Sequence, residues 1–194
     1  MLLCRKHEWQ NDDERAVHLL GVRAYNTGSA ALKLALSGFH QAASHLTRDL
    51  LETTNLLDYF SIEPAKIAEW RTADEKGLKR FAPVEIRRAL EGHPRFIGQR
   101  RDIPYKQLST YAAHPSHEGF RMLLTSQEQF EVGPFFDEEF LRGWLLQTAA
   151  WLGEGTLAFM RNLPTLAAEL QTVRSAFAEQ ASAWGAKYLT KPQV

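Results

Sequence analysis

The amino-acid sequence predicts an all-α fold, an antiparallel helical bundle with a short-helix insertion, on three observations. Period-two alternation never persists, and alanine, leucine, glutamate and arginine dominate over the β-branched residues that mark strands. One stretch, Leu32 to Leu57, repeats apolar residues mostly at three-, four- and seven-residue steps. Prolines, glycines and acidic caps divide much of the remainder into helix-length pieces.

Taken in order, Asp12 or Asp13 caps a first helix ending near Tyr25, with Val17, Leu20 and Val22 as its apolar surface. NTGS (26–29) reads as a break, with Ser29 as the next cap. The second helix carries Leu32, Ala35, Leu36, Phe39, Ala43, Leu46, Leu50 and Leu57 as one buried stripe to about Asp58, with Leu46 and Leu50 fully buried. SIEP ends it, and a short EPAKIAEW helix comes next with Pro64 in its first turn. RTADEKGLKRF reads as a solvated loop, and PVEIRRALEG as a compact helix from Pro83 to a stop at Gly92. A helix from about Tyr105 to Ala113 precedes a turn at HPSH, where Pro115 drives His114 out of the helical region and Ser116 can cap the next turn. Asp137 and the two glutamates after it begin a helix over 138–160, with Phe140, Trp144, Trp151 and Leu152 as core candidates and Thr148 on the same stripe, able to bond its hydroxyl back to the helix backbone. NLPT breaks the chain before a last helix from about Thr165 to Tyr188.

Length and composition bound the function. A chain of 194 residues suits a single domain over 1–194, with 1–10 and 189–194 loose. Lys plus Arg and Asp plus Glu both total 23, so no field is available for a dominant nucleic-acid or acidic-membrane partner. The lone Cys4 forms no internal disulfide, and no segment reads as a signal peptide or a membrane span, which points to the cytoplasm. No Gly-rich phosphate loop, nucleophile elbow or zinc Cys cluster is present, so no cofactor is expected.

Three constellations bear on chemistry. On the second helix, HLTRDLLE sets His45 beside Asp49 and Arg48 beside Glu52, away from the leucine stripe. Leu34 and Leu56 project the same way, so another helix half-covers this flank, and a covered Arg–Glu pair needs further hydrogen-bond partners. The richest supply is YKQLSTYAAHPSHEGF (105–120), so Tyr105, Ser109 or His114 is expected on Arg48 or Glu52. The second reading is a metal site, with His45, Asp49 and Glu52 meeting His114 and His117, although Arg48 would repel a cation. The third is RRALEGH, where Arg87 or Arg88 precedes His93 at a spacing that resembles the Arg-to-His motif of HEPN-type ribonucleases. There the arginine steadies a phosphate and the histidine transfers a proton.

Arg48 and Glu52 on a long apolar helix, followed by Tyr105, Leu108, Ser109, His114 and Pro115, resemble the R-x-x-x-E and Y-x-x-LS…HP pattern of a group of uncharacterised prokaryotic all-helical domains over about residues 30 to 155. That resemblance implies a helical fold and no assigned activity. The leading functional expectation is an interaction or structural module with a polar Arg/Glu/Tyr/Ser/His cluster. The enzymatic alternatives are a HEPN-like ribonuclease or toxin/defence-related enzyme, or a metal-dependent bundle hydrolase. Phe135, Phe136, Trp144, Leu145 and Trp151 exceed what one bundle face can bury, which predicts a homodimer.

Overall fold

The structure, a computed structural model, describes residues 2–98, 101–125, 128–163 and 166–189. Its elements are α1 (Leu2–Lys6), α2 (Asp12–Leu36), α3 (His40–Ile62), α4 (Lys66–Thr72), α5 (Glu75–Leu78), α6 (Pro83–Glu91), α7 (Asp102–Leu108), α8 (Glu138–Arg161) and α9 (Ala168–Tyr188). A π turn over Ser109–Ala113 and 3-10 turns at Lys79–Phe81, Pro94–Phe96 and Glu118–Leu123 complete the insertion between α3 and α8. The all-α bundle is evident from this order, and no helix among the described residues is long and apolar enough to cross a membrane.

The break expected at NTGS is not there, and Ser29 caps nothing; α2 runs through it to Leu36. Gly28 serves packing instead, since a Cβ on it would stand 2.5 Å from the Leu152 side chain; Gly21, two turns earlier, likewise admits Phe159. The chain turns at Gly38, whose φ of +80° suits only glycine at low cost. The Gly38 N–H donates to the Ala35 carbonyl and the Phe39 N–H to Leu34, closing the helix end. The Phe135 N–H then donates to the Gly38 carbonyl at 3.3 Å, pinning the approach to α8 against this turn. His40 begins α3 in the same corner, buried between Phe135 and Phe140; burial pushes its imidazole down, while the Phe135 backbone and Asp137 pull the other way.

Moving the break changes the inner face. Leu32, Leu36 and Phe39 are exposed and Leu46 is half-buried, whereas Ala35, Ala43, Leu50 and Leu57 are buried. The expected stripe joined two helices that point different ways. Asn11, rather than Asp12 or Asp13, caps α2 by accepting the Glu14 N–H at 2.9 Å. Residues expected to be loose at the start form α1, which buries Leu3 and ties Lys6 to Glu169. RTADEKGLKRF is not a plain loop; Asp74 caps α5 within it through the Gly77 N–H. The cap at Asp137 is as expected, accepting the Phe140 N–H at 2.8 Å. Thr165, the expected start of the last helix, lies outside the described residues.

Two apolar clusters set the direction of α8. Its first turns, Phe140, Leu141 and Trp144, pack with Ala31, Ala35 and Ala43 beside the α2–α3 turn. Its last, Phe159 and Met160, pack with Val17, Leu20, Leu57 and Phe60 at the other end. So α8 runs with α3 and against α2, because the insertion of short helices carries the chain back along α3. Close approach is made possible by Gly155, where a Cβ would meet the Thr54 hydroxyl at 2.7 Å. Trp151 and Leu152 are half-buried rather than central. Thr148 does not bond to its own backbone but meets the Thr47 hydroxyl at 3.2 Å across the α3–α8 seam.

Candidate functional site

The polar flank of α3 carries linked side-chain contacts that reach into the insertion. Arg48 and Glu52 stand one turn apart and pair at 3.0 Å. Arg48 also donates to the Tyr105 hydroxyl at 2.7 Å, and the Arg87 guanidinium from α6 lies over the Tyr105 ring at 3.7 Å. Tyr105 is therefore held at its hydroxyl by one cation and on its face by another, an arrangement that orders a loosely connected segment against α3. The side chains of Arg48 and Glu52 keep 21% and 30% of their surface, so the pair is half-covered as the sequence predicts.

Two residues named with Tyr105 behave differently. The Ser109 hydroxyl is buried without a hydrogen-bond partner, and His114 is exposed. The helix expected over Tyr105 to Ala113 starts earlier, at Asp102, and changes to a π turn at Ser109. There the His114 N–H reaches back five residues to the Ser109 carbonyl. A π turn absorbs one additional residue within a helix. Along this segment Tyr105 meets α3, while Gln107, Leu108 and Tyr111 line a cleft beside α8. Ser116 does cap the next turn, accepting the Gly119 N–H at 3.0 Å.

Further along the same helix lies a network that sequence reasoning missed. Asp58 is fully buried and accepts from Arg101 at 2.7 Å and from Arg161 of α8. Arg101 also donates to Asn55 and lies 4.7 Å from the centre of the Phe96 ring. A single carboxylate thereby joins α3, the insertion and α8. One signal was legible: Thr47, Thr54 and Asp58 recur at seven- and four-residue steps, a polar line on a helix too apolar to face water there. Its partners carried no comparable signal.

The metal reading loses its geometry. Asp49 does not turn to His45; it accepts from Arg23 and, at 3.0 Å, from Thr27, both on α2. The Arg23–Asp49 hydrogen bond also holds the guanidinium above its ordinary range. His45, His114 and His117 are exposed, Glu52 is engaged by Arg48, and no group of three or more metal-ligating side chains converges among the described residues. The ribonuclease spacing is likewise dispersed. Arg87 is committed to Tyr105, Arg88 pairs with Glu85 at 2.9 Å, and His93 Nδ1 accepts the Arg95 N–H at 3.2 Å at the start of a 3-10 turn.

The half-covered pair sets a measurable expectation. Glu52→Ala and Arg48→Met should each cost about 1–2 kcal/mol, between an open and a buried ion pair. The double variant should cost less than the sum by roughly 0.5–1.5 kcal/mol. Denaturant melts of the three variants measure this; additive, negligible costs would mean that Tyr105 rests on α3 without the ion pair.

No family model, curated protein or solved structure matches the chain, so the likeness to uncharacterised helical domains rests on the short Arg48/Glu52 and Tyr105–Pro115 motifs.

Proposed function

We propose that this protein is a self-associating interaction module, in which two copies join along the groove between α8 and α9 and the polar flank of α3 serves to fix the fold. The observation that carries the reading is α9 itself. It is 21 residues long, yet Leu170 is its one buried residue. From Phe177 onward it borders an open groove of about 860 Å³, with Ala149, Ala150 and Gly153 on the α8 side and Ala181 and Trp184 on its own. A helix this thinly packed is unstable by itself in water. Small residues on both walls admit another helix at close range, and Trp184 supplies an aromatic anchor.

Charge favours a second copy as the occupant. Antiparallel pairing of two α9 helices sets Glu169 against Lys187, which lie on the same edge of the helix beside the Phe177, Ala181 and Trp184 face. A two-fold interface repeats each such pair. The zero net charge of the chain adds no long-range repulsion between copies. Light scattering at tens of micromolar is expected to give twice the 22.1 kDa chain mass. Ala181→Glu, which places a carboxylate in the groove, should return the protein to one chain while leaving its far-ultraviolet circular dichroism unchanged. A wild-type mass of one chain at that concentration would refute the proposal.

A further inference from the structure

The corner where the chain turns from α2 into α3 holds a buried histidine outside both the polar flank of α3 and the α8–α9 groove. His40 is 2% exposed, and its ring lies between those of Phe135 at 5.0 Å and Phe140 at 4.6 Å. Neither ring nitrogen has a hydrogen-bond partner; the Phe135 backbone acts on the ring without reaching hydrogen-bond geometry. A neutral imidazole carries one N–H donor and one bare nitrogen acceptor, so both go unmet here. Unmet buried polar groups cost stability, and a phenylalanine would fill the same apolar corner without that cost. What histidine adds is a charge that can be switched on near neutral pH.

The segment that covers the ring is thinly held elsewhere. No described residue between Gly119 and Trp144 is buried, and Phe130, Val132 and Phe136 stand exposed. Phe135 seats this stretch on the corner: its N–H donates to the Gly38 carbonyl, and a Cβ on Gly38 would stand 2.6 Å from the Phe135 carbonyl oxygen. Gly133, two residues earlier, takes a φ of +102° and has nothing within 4 Å of its Cβ position, so a joint with room to rotate precedes the contact. On the other side Asp137 caps α8, which gives the segment a fixed end. A stretch with few buried contacts opens at a lower free energy than the helices behind it.

We propose that His40 is a pH-sensitive latch: protonation of its ring releases the Glu128–Asp137 segment from the α2–α3 corner while the helical bundle stays folded. An imidazolium enclosed by two phenyl rings is poorly solvated, and swinging the segment away about Gly133 hydrates it. Of the charged groups on the elements around it, Asp137 at the α8 cap is the one whose field reaches the ring; it favours the charged form, as the Phe135 backbone does, and burial outweighs both. The closed form therefore takes up its proton at lower pH than the open form. The latch is shut above the ordinary histidine value of about 6.5 and loosens as pH falls below it.

Hydrogen exchange of the full chain, read by mass spectrometry at about pH 7.5 and about pH 5 and corrected for the intrinsic pH dependence of exchange, tests this. Protection of peptides covering 128–137 is expected to fall by about tenfold or more, as linkage to a proton gained on opening allows, while peptides from the middle of α3 and α8 keep theirs. His40→Phe keeps an aromatic ring and cannot titrate, so its 128–137 protection should be the same at both pH values. In the wild type, the histidine whose nuclear Overhauser contacts reach Phe135 and Phe140 should titrate below about 6.5, which reads the latch without any substitution. The proposal is overturned if 128–137 protection does not change with pH, if α3 and α8 lose theirs together with it, if His40→Phe retains the change, or if that histidine titrates at or above the ordinary value.

Discussion

Asp58→Ala is expected to lower the unfolding free energy by about 3–5 kcal/mol, because it leaves two guanidinium groups facing a site built for a carboxylate. The Asp58 side chain is wholly buried and Arg101 is 4% exposed, so water cannot replace the lost partner. Arg161 retains 21% of its surface and can partly turn outward. Asp58→Asn keeps the shape and one acceptor but removes the charge, and should fall between wild type and Asp58→Ala. Combining Asp58→Ala with Arg101→Met removes the stranded cation, so the pair should cost less than the sum of the singles. Urea denaturation of the wild type, the three single variants (Asp58→Ala, Asp58→Asn and Arg101→Met) and the double variant measures all of this. A cost for Asp58→Ala below about 1 kcal/mol, the range of surface pairs, would mean that the network is open to water.

The second large effect is expected at Leu50. This side chain is fully buried in α3, and its carbonyl also accepts the Thr54 hydroxyl at 2.9 Å. Leu50→Ala should cost about 2–5 kcal/mol, the transfer of the lost carbons plus the cavity that neighbours fail to fill. Leu46→Ala should cost distinctly less, because Leu46 is only half-buried. By periodicity alone the two leucines are equivalent. Their difference is a direct thermal-melt test of which face of α3 is innermost, and equal costs would refute the assignment of Leu50 to that face.

Much of the candidate site was legible in the sequence. The Arg48–Glu52 pair is set by helical spacing, and its contact with Tyr105 by the need of a covered ion pair for further partners. The Ser116 cap and the extended backbone of His114 before Pro115, with φ −115° and ψ 144°, obey local rules. Asp49 was not legible in the same way. His45 and Arg23 are both within reach of a helix-borne carboxylate once tertiary packing is known, and only the approach of α2 selects Arg23. Spacing assigned Arg87 to a histidine six residues on, while the structure gives it to a tyrosine on another helix.

The sequence by itself determined the all-α class and most of the later helix boundaries. Pro83, Gly92, Pro115 and Asp137 act through their own backbone angles and nearest amides, which no distant residue needs to supply. Tertiary structure decided whether a glycine bends a helix or admits a neighbour. Gly28 and Gly38 look alike in sequence, yet Leu152 packs onto the first within an unbroken helix, while the second takes a positive φ and turns the chain. It also decided the centre of the polar network. Asp58 is 43 residues from Arg101 and 103 from Arg161, so their meeting depends on how α3, the insertion and α8 pack. Periodicity reports which residues share a face of one helix; it carries no information about which face of another helix arrives opposite.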